Sequence, residues 1–89
     1  MTGDERSFIR HALGLSKQKL GFRNFYAAGG DDVAIGRALV AKGYAVEMGQ
    51  REYRPDVCFK ITLSGFMAVA EKGEEMDEEE TAIMLRLAA

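Results

Sequence analysis

Two runs of alternating side chains, one on each side of a charged tip, constrain this chain more than any other feature. Tyr44, Val46 and Met48 alternate with Ala45 and Glu47, and Val57, Phe59 and Ile61 alternate with Cys58, Lys60 and Thr62. Period two on both sides predicts the two half-buried strands of a hairpin. The tip, Gly49 to Asp56, holds Gln50, Arg51, Glu52, Arg54 and Pro55 and is long, polar and charged. A lone hairpin is marginal in water, so flanking helices must cover one of its faces. At 89 residues the chain supports one domain, residues 1–89.

The helices are marked by caps and stops. Thr2-Gly3-Asp4-Glu5 fits a capping box, and Phe8, Ile9, Ala12 and Leu13 follow at helical spacing, predicting a helix over about 4–13 with Gly14 near its end. Asp31 or Asp32 is expected to cap a second helix whose apolar side is Val33, Ile35, Leu39 and Val40, with Gly43 as its stop. Gly36 inside it weakens the helix and favours close packing. Thr62 is expected to cap a third, with Leu63, Phe66, Met67, Val69 and Ala70 on one side and Gly73 ending it. Asp77 caps a fourth, with Glu78, Glu79 and Glu80 in its first turn and Ile83, Met84, Leu85 and Leu87 as its apolar residues. Leu15 to Gly30 shows little periodicity, and whether it holds a helix stays open.

This order predicts an α+β fold, mainly α, with helices packed on a two-stranded wing. Leu39-Val40-Ala41-Lys42-Gly43-Tyr44, followed by Phe59-Lys60-Ile61-Thr62-Leu63-Ser64-Gly65, resembles the recognition-helix end, wing and following helix of bacterial winged-helix regulators. Arg10-His11-Ala12-Leu13-Gly14-Leu15, Arg23-Asn24-Phe25, Ala28-Gly29-Gly30, Leu39-Val40 with Gly43, and Ile61-Thr62 with Gly65 resemble a group of small phage and prophage proteins. The resemblance implies a winged-helix-like domain and carries no established activity with it. A helix-turn-helix also needs a helix just before the recognition helix, and Leu15–Gly30 is a poor source of one.

Charge divides the chain. Residues 1–70 hold ten basic against seven acidic side chains, and residues 71–89 hold two against seven. A mildly basic body therefore carries an acidic C-terminal helical segment from about 74 to 89, a balance that permits a nucleic-acid face without requiring one. One Cys excludes an internal disulfide framework, a Cys-rich zinc site and a CxxC pair. Residues 1–10 lack the apolar core of a signal peptide and no run approaches a membrane span, so the expected setting is cytoplasmic, the host cytoplasm if phage-encoded, without a membrane partner.

Candidate sites follow from residue type. Arg37 and Lys42 lie along the second helix, Arg51, Arg54 and Lys60 on the wing, and Lys17, Lys19 and Arg23 beside Phe22, Phe25 and Tyr26. These eight cations are the candidate nucleic-acid contacts. Each has a plainer reading: interleaved Glu47, Glu52 and Asp56 suit cross-strand pairing, and the three aromatics are expected in the core. Asp31-Asp32 at the start of the second helix would repel DNA. Gly29-Gly30-Asp31-Asp32 resembles the nucleotide-cyclase signature, but that motif needs a much larger domain, and the likeness is a coincidence of letters. Glu74–Glu80 lacks the ligand spacing of a calcium loop, and its carboxylates fit a helix start. His11 and Cys58, the latter expected on the outer side of its strand, are the one base–nucleophile candidate; no phosphate loop or catalytic constellation is visible, so no enzyme, metal or cofactor is expected.

Two functions remain. A DNA-binding accessory or regulator predicts that Arg37, Arg51, Arg54 and Lys60 converge on one face, with salt-sensitive affinity for double-stranded DNA. An interaction module for a host or virion protein predicts an exposed apolar patch and an acidic surface. Ile83, Met84, Leu85 and Leu87 are wider than one helix stripe and are the candidate homodimer contact. The fold resemblance ranks DNA binding first by a small margin.

Overall fold

The capping box forms as expected at the first helix, α1 (Gly3–Leu13). Thr2 Oγ1 accepts from the Glu5 amide at 3.1 Å and the Glu5 carboxylate accepts from the Thr2 amide at 2.8 Å. Gly14, at φ 79°, reverses the chain, and the Leu15 amide reaches back to the Arg10 carbonyl. Phe8, Ile9, Ala12 and Leu13 form the buried side. The computed structural model describes residues 1–50 and 56–87.

Residues 15–30 contain no helix. They contribute two short strands, β1 (Leu20–Gly21) and β2 (Tyr26–Ala28). The connection between them is tied to α1: the Phe22 amide donates to the Leu13 carbonyl and the Phe25 amide to the Ala12 carbonyl. Between them, buried Asn24 bonds both backbone groups of Ile61, donating to its carbonyl at 2.9 Å and accepting from its amide at 2.6 Å. One amide side chain thus acts as a strand's backbone would.

The next helix is α2 (Asp31–Ala41), capped by Gly30 at φ 58° rather than by an aspartate. Asp31 and Asp32 are the first two residues of the helix, inside its first turn, where their charges face the positive end of the helix dipole. Gly36 lies against the Phe59 ring, and a Cβ there would overlap it. Gly43, at φ 80°, ends the helix as expected.

Two further strands follow, β3 (Ala45–Gln50) and β4 (Val57–Ile61). With β2 they make an antiparallel sheet of order β2-β4-β3, so the hairpin gains a third strand from the segment with no clear periodicity. The phase of β3 is the opposite of that expected. Ala45 pairs with buried Ile61 and Glu47 with Phe59, whereas Val46 lies opposite Lys60 and Met48 is 51% exposed. The strong β4 alternation sets the register, and a bulge between Glu47 and Gly49 shifts it again. Cys58 is nearly buried between Ala27 and Gly49 on the neighbouring strands.

Thr62 caps α3 (Leu63–Val69), accepting from the Gly65 amide and donating to the Gly43 carbonyl. Gly65 is required: a Cβ there would overlap the Tyr44 carbonyl oxygen and the Ile61 side chain. α3 stops at Val69, short of Gly73, because Ala70 is extended and Gly73 belongs to the following turn. That turn leads into β5 (Glu75–Met76), which runs parallel to β1. Asp77 then caps α4 (Glu78–Leu87), its carboxylate accepting from the Glu79 amide. The result is a small α+β fold, about half helical, with Phe59 and Ile61 of β4 and Ile9, Leu13, Leu39, Val69 and Met84 of the helices at its centre. Among the described residues no helix is long and apolar enough to cross a membrane.

Candidate interaction surface

Of the eight cations expected to contact nucleic acid, Arg23, Arg37 and Lys42 have partners inside the fold. Arg37 Nε donates to Glu47 at 3.0 Å, from α2 to β3, on the helix-covered side of the sheet. Lys42 holds both oxygens of Glu5 at 2.8 Å, across α2 and α1. That ammonium, with the Thr2 amide, keeps the Glu5 carboxyl below its ordinary range. Arg23 donates from Nε and Nη2 to the His11 carbonyl and lies over the Phe22 ring at 5.3 Å. Lys60 alternates with buried Phe59 and Ile61, so it points to the opposite side of the sheet from Arg37. Arg37 and Lys60 therefore do not converge. Lys17 and Lys19 are exposed in the turn after α1, with no ion pair among the described residues. Arg51 and Arg54 lie outside the described residues.

The acidic segment is likewise committed. Arg10 of α1 grips Glu74 through both guanidinium amines at 2.6 and 2.5 Å and donates to the carbonyls of Val69 and Leu15. The Glu74 side chain is 6% exposed, and Arg10 keeps its carboxyl below the ordinary range against the opposing pull of burial. Glu71 pairs with Arg6. The pair between residues 10 and 74 spans most of the chain, and no local pattern announces it. Of the candidate homodimer contacts, Met84 is fully buried and belongs to the core, Leu85 is exposed, and Ile83 and Leu87 are half-buried.

The aromatics go the other way. Leu20 and Phe22 are each 46% exposed and Phe25 is 41% exposed, where the core was expected to take Phe22 and Phe25. They are displaced because Asn24, between them, takes the inward position against Ile61. Tyr26 stands at the edge of the core. Its ring stacks on Phe8 at 4.0 Å, His11 meets it edge-on at 5.3 Å, and its hydroxyl donates to Asp32 at 3.0 Å. Burial, and then the Asp32 carboxylate, push the phenol's pKa up.

Two hollows flank Tyr26. One is lined by His11, Arg23, Phe25, Tyr26 and Ala27. The other lies between α1 and α2, beside Asp4, Ser7, Phe8, Asp32 and Ile35. His11 and Tyr26 form walls of both. The first carries a guanidinium and the second carries carboxylates. His11 serves in this wall, and Cys58 sits within the sheet on β4. No protein-family model matches the chain, and no curated protein or solved structure is significantly similar to it.

Proposed function

We propose that this chain is a non-enzymatic interaction module of the phage and prophage type, which binds a host or virion protein through the surface around Tyr26. The observation that carries the reading is the exposure of Leu20, Phe22 and Phe25 within one short stretch, with Phe25 lining a hollow beside Tyr26. Exposed aromatic side chains beside a groove are the usual anchors of a protein interface. The ion pairs that occupy Arg37 and Lys42 support it further, since paired cations contribute little to phosphate binding.

A winged-helix-like DNA-binding role is the second reading. It is supported by the β3–β4 hairpin directly after α2 and by Lys17 and Lys19, which have no ion pair among the described residues. It is weakened by the lack of a helix between α1 and α2 and by Asp31 and Asp32 at the start of α2.

The test places a photo-crosslinking phenylalanine analogue at Phe22, and separately at Met67 on exposed α3, in cells producing the chain. The expected result is one protein captured from position 22 and not from 67. In parallel, fluorescence anisotropy with a random duplex is expected to show no binding from low to physiological salt. Duplex binding that weakens with salt, and is lost in Lys17→Ala/Lys19→Ala or Arg51→Ala/Arg54→Ala, would replace the protein-binding reading with the DNA-binding one.

A further inference from the structure

We infer that the partner docks through an acidic segment: Leu20, Phe22 and Phe25, set among Lys17, Lys19 and Arg23, form a cationic apolar surface for a peptide stretch that interleaves carboxylates with large apolar side chains. The inference rests on the protein-binding reading above and specifies the chemistry of its partner.

The charge around these side chains is one-sided. The chain as a whole is net −2, yet residues 6–30 hold no Asp or Glu and hold Arg6, Arg10, Lys17, Lys19 and Arg23. Two of the five are neutralised, Arg6 by Glu71 and Arg10 by Glu74. Lys17 and Lys19 are exposed with no ion pair among the described residues, and Arg23 spends Nε and Nη2 on the His11 carbonyl, which leaves its charge unopposed. The neighbouring stretch adds a further cation. The Lys19 ammonium lies beside Gly73, and exposed Lys72 precedes that glycine. With Glu71 and Glu74 committed, Glu75, opposite Leu20 across β1–β5, is the carboxylate of that stretch left to offset them. Asp4 and Asp32 belong to the second hollow. Cations and exposed apolar side chains thus alternate along 17–25, and a segment that satisfies both must bring carboxylates and apolar groups together.

The surface is also held in place. The Phe22 and Phe25 amides are bound to α1, and Asn24 between them is bound to Ile61. The Phe22 ring lies so close to Gly14 that a Cβ there would overlap it. These side chains therefore project from a fixed backbone and lose little freedom on binding. A single-stranded nucleic acid would seek the same cations, but its bases need open ring faces. The Arg23 guanidinium lies over the Phe22 ring, and Leu20 offers no ring at all. Both contacts suit an apolar side chain better than a base.

The experiment is selection of a random dodecapeptide display library on the full chain, followed by anisotropy with the selected peptides in synthetic form. The expected sequences are rich in Asp and Glu around aromatic or large aliphatic residues, and their affinity should fall as salt rises. Lys17→Glu/Lys19→Glu should weaken binding by about tenfold or more, and Lys17→Gln/Lys19→Gln should weaken it in the same direction by about threefold. Both lysines are exposed, and circular dichroism checks that each variant is folded; the glutamine pair carries the test if the reversal does not fold. Selected peptides without acidic residues, or indifferent to the folded lysine variants, would overturn the inference. Binding of an oligothymidylate that is tighter than that of any peptide, and is lost in the same variants, would overturn it in favour of nucleic acid. If no peptide is selected while crosslinking from position 22 persists, the acidic segment falls and the protein-binding reading stands. Loss of both removes both.

Discussion

Residues 20–26 and residues 69–76 lie side by side, joined through the parallel pair β1–β5, and use their side chains in opposite ways. In the second stretch Glu71 and Glu74 accept from Arg6 and Arg10, and the Val69 carbonyl accepts from Arg10 as well. In the first, Leu20, Phe22 and Phe25 stand in solvent while a single polar residue, Asn24, turns inward. The charged stretch is the clasp and the aromatic stretch is the surface. What decides this is whether a partner lies within reach: α1 offers two arginines to one stretch, and β4 offers one backbone amide and carbonyl to the other.

The comparison breaks most visibly at Arg10. Arg10→Ala leaves Glu74 nearly buried without its cation, and we expect a loss of about 2–3 kcal/mol in urea unfolding. Adding Glu74→Gln should recover part of it, because the stranded charge is then removed. Next is Asn24→Ala, which leaves the amide and carbonyl of Ile61 unpaired and should cost about 1–3 kcal/mol in the same measurement. An aliphatic replacement such as Asn24→Leu should not restore the loss.

A smaller effect is expected on acidification. Glu5 and Glu74 both titrate lower in the folded chain than in the unfolded one. Their contribution is complete above the unfolded carboxyl pKa of about 4.3 and is lost as pH falls through the lower folded values. Stability followed by circular dichroism should therefore hold between about pH 7 and 5 and decline below about 4. The decline should be shallower in Arg10→Ala. The smallest stability change is expected at the exposed apolar residues: Leu20→Ser and Phe22→Ser should each shift it by less than about 1 kcal/mol while abolishing capture of a partner. A large loss of stability there would mean that the aromatic stretch belongs to the core after all.

The local signals were legible in the residues themselves. The Thr2–Glu5 box, the Gly43 stop, the Thr62 and Asp77 caps, the β4 alternation and the close approaches at Gly36 and Gly65 each depend on a few neighbouring residues. What stayed hidden depends on distant partners. β2 is three residues long, too short for a period to show, and exists because β4 pairs with it. The phase of β3 follows β4 and a bulge rather than its own alternation. Capping of α2 by Gly30, and not by Asp31 or Asp32, reflects a backbone conformation that side-chain preference does not encode. At the site, the cluster of Arg23 with Phe22, Phe25 and Tyr26 was visible as a cluster. Its outward direction was not, since Asn24 takes the inward place only when Ile61 is opposite it.

Arg10 also ties one local contact to two distant ones. Its guanidinium bonds Leu15 five residues on, but Val69 and Glu74 lie 59 and 64 residues away. α1 has its own cap and apolar side, yet its most buried cation has no counter-charge until the chain has closed a loop of that length. Such distant closure slows folding relative to local contacts. Until Glu74 has joined the chain, as on a ribosome, the Leu15 carbonyl is the one of these three partners that Arg10 has within local reach.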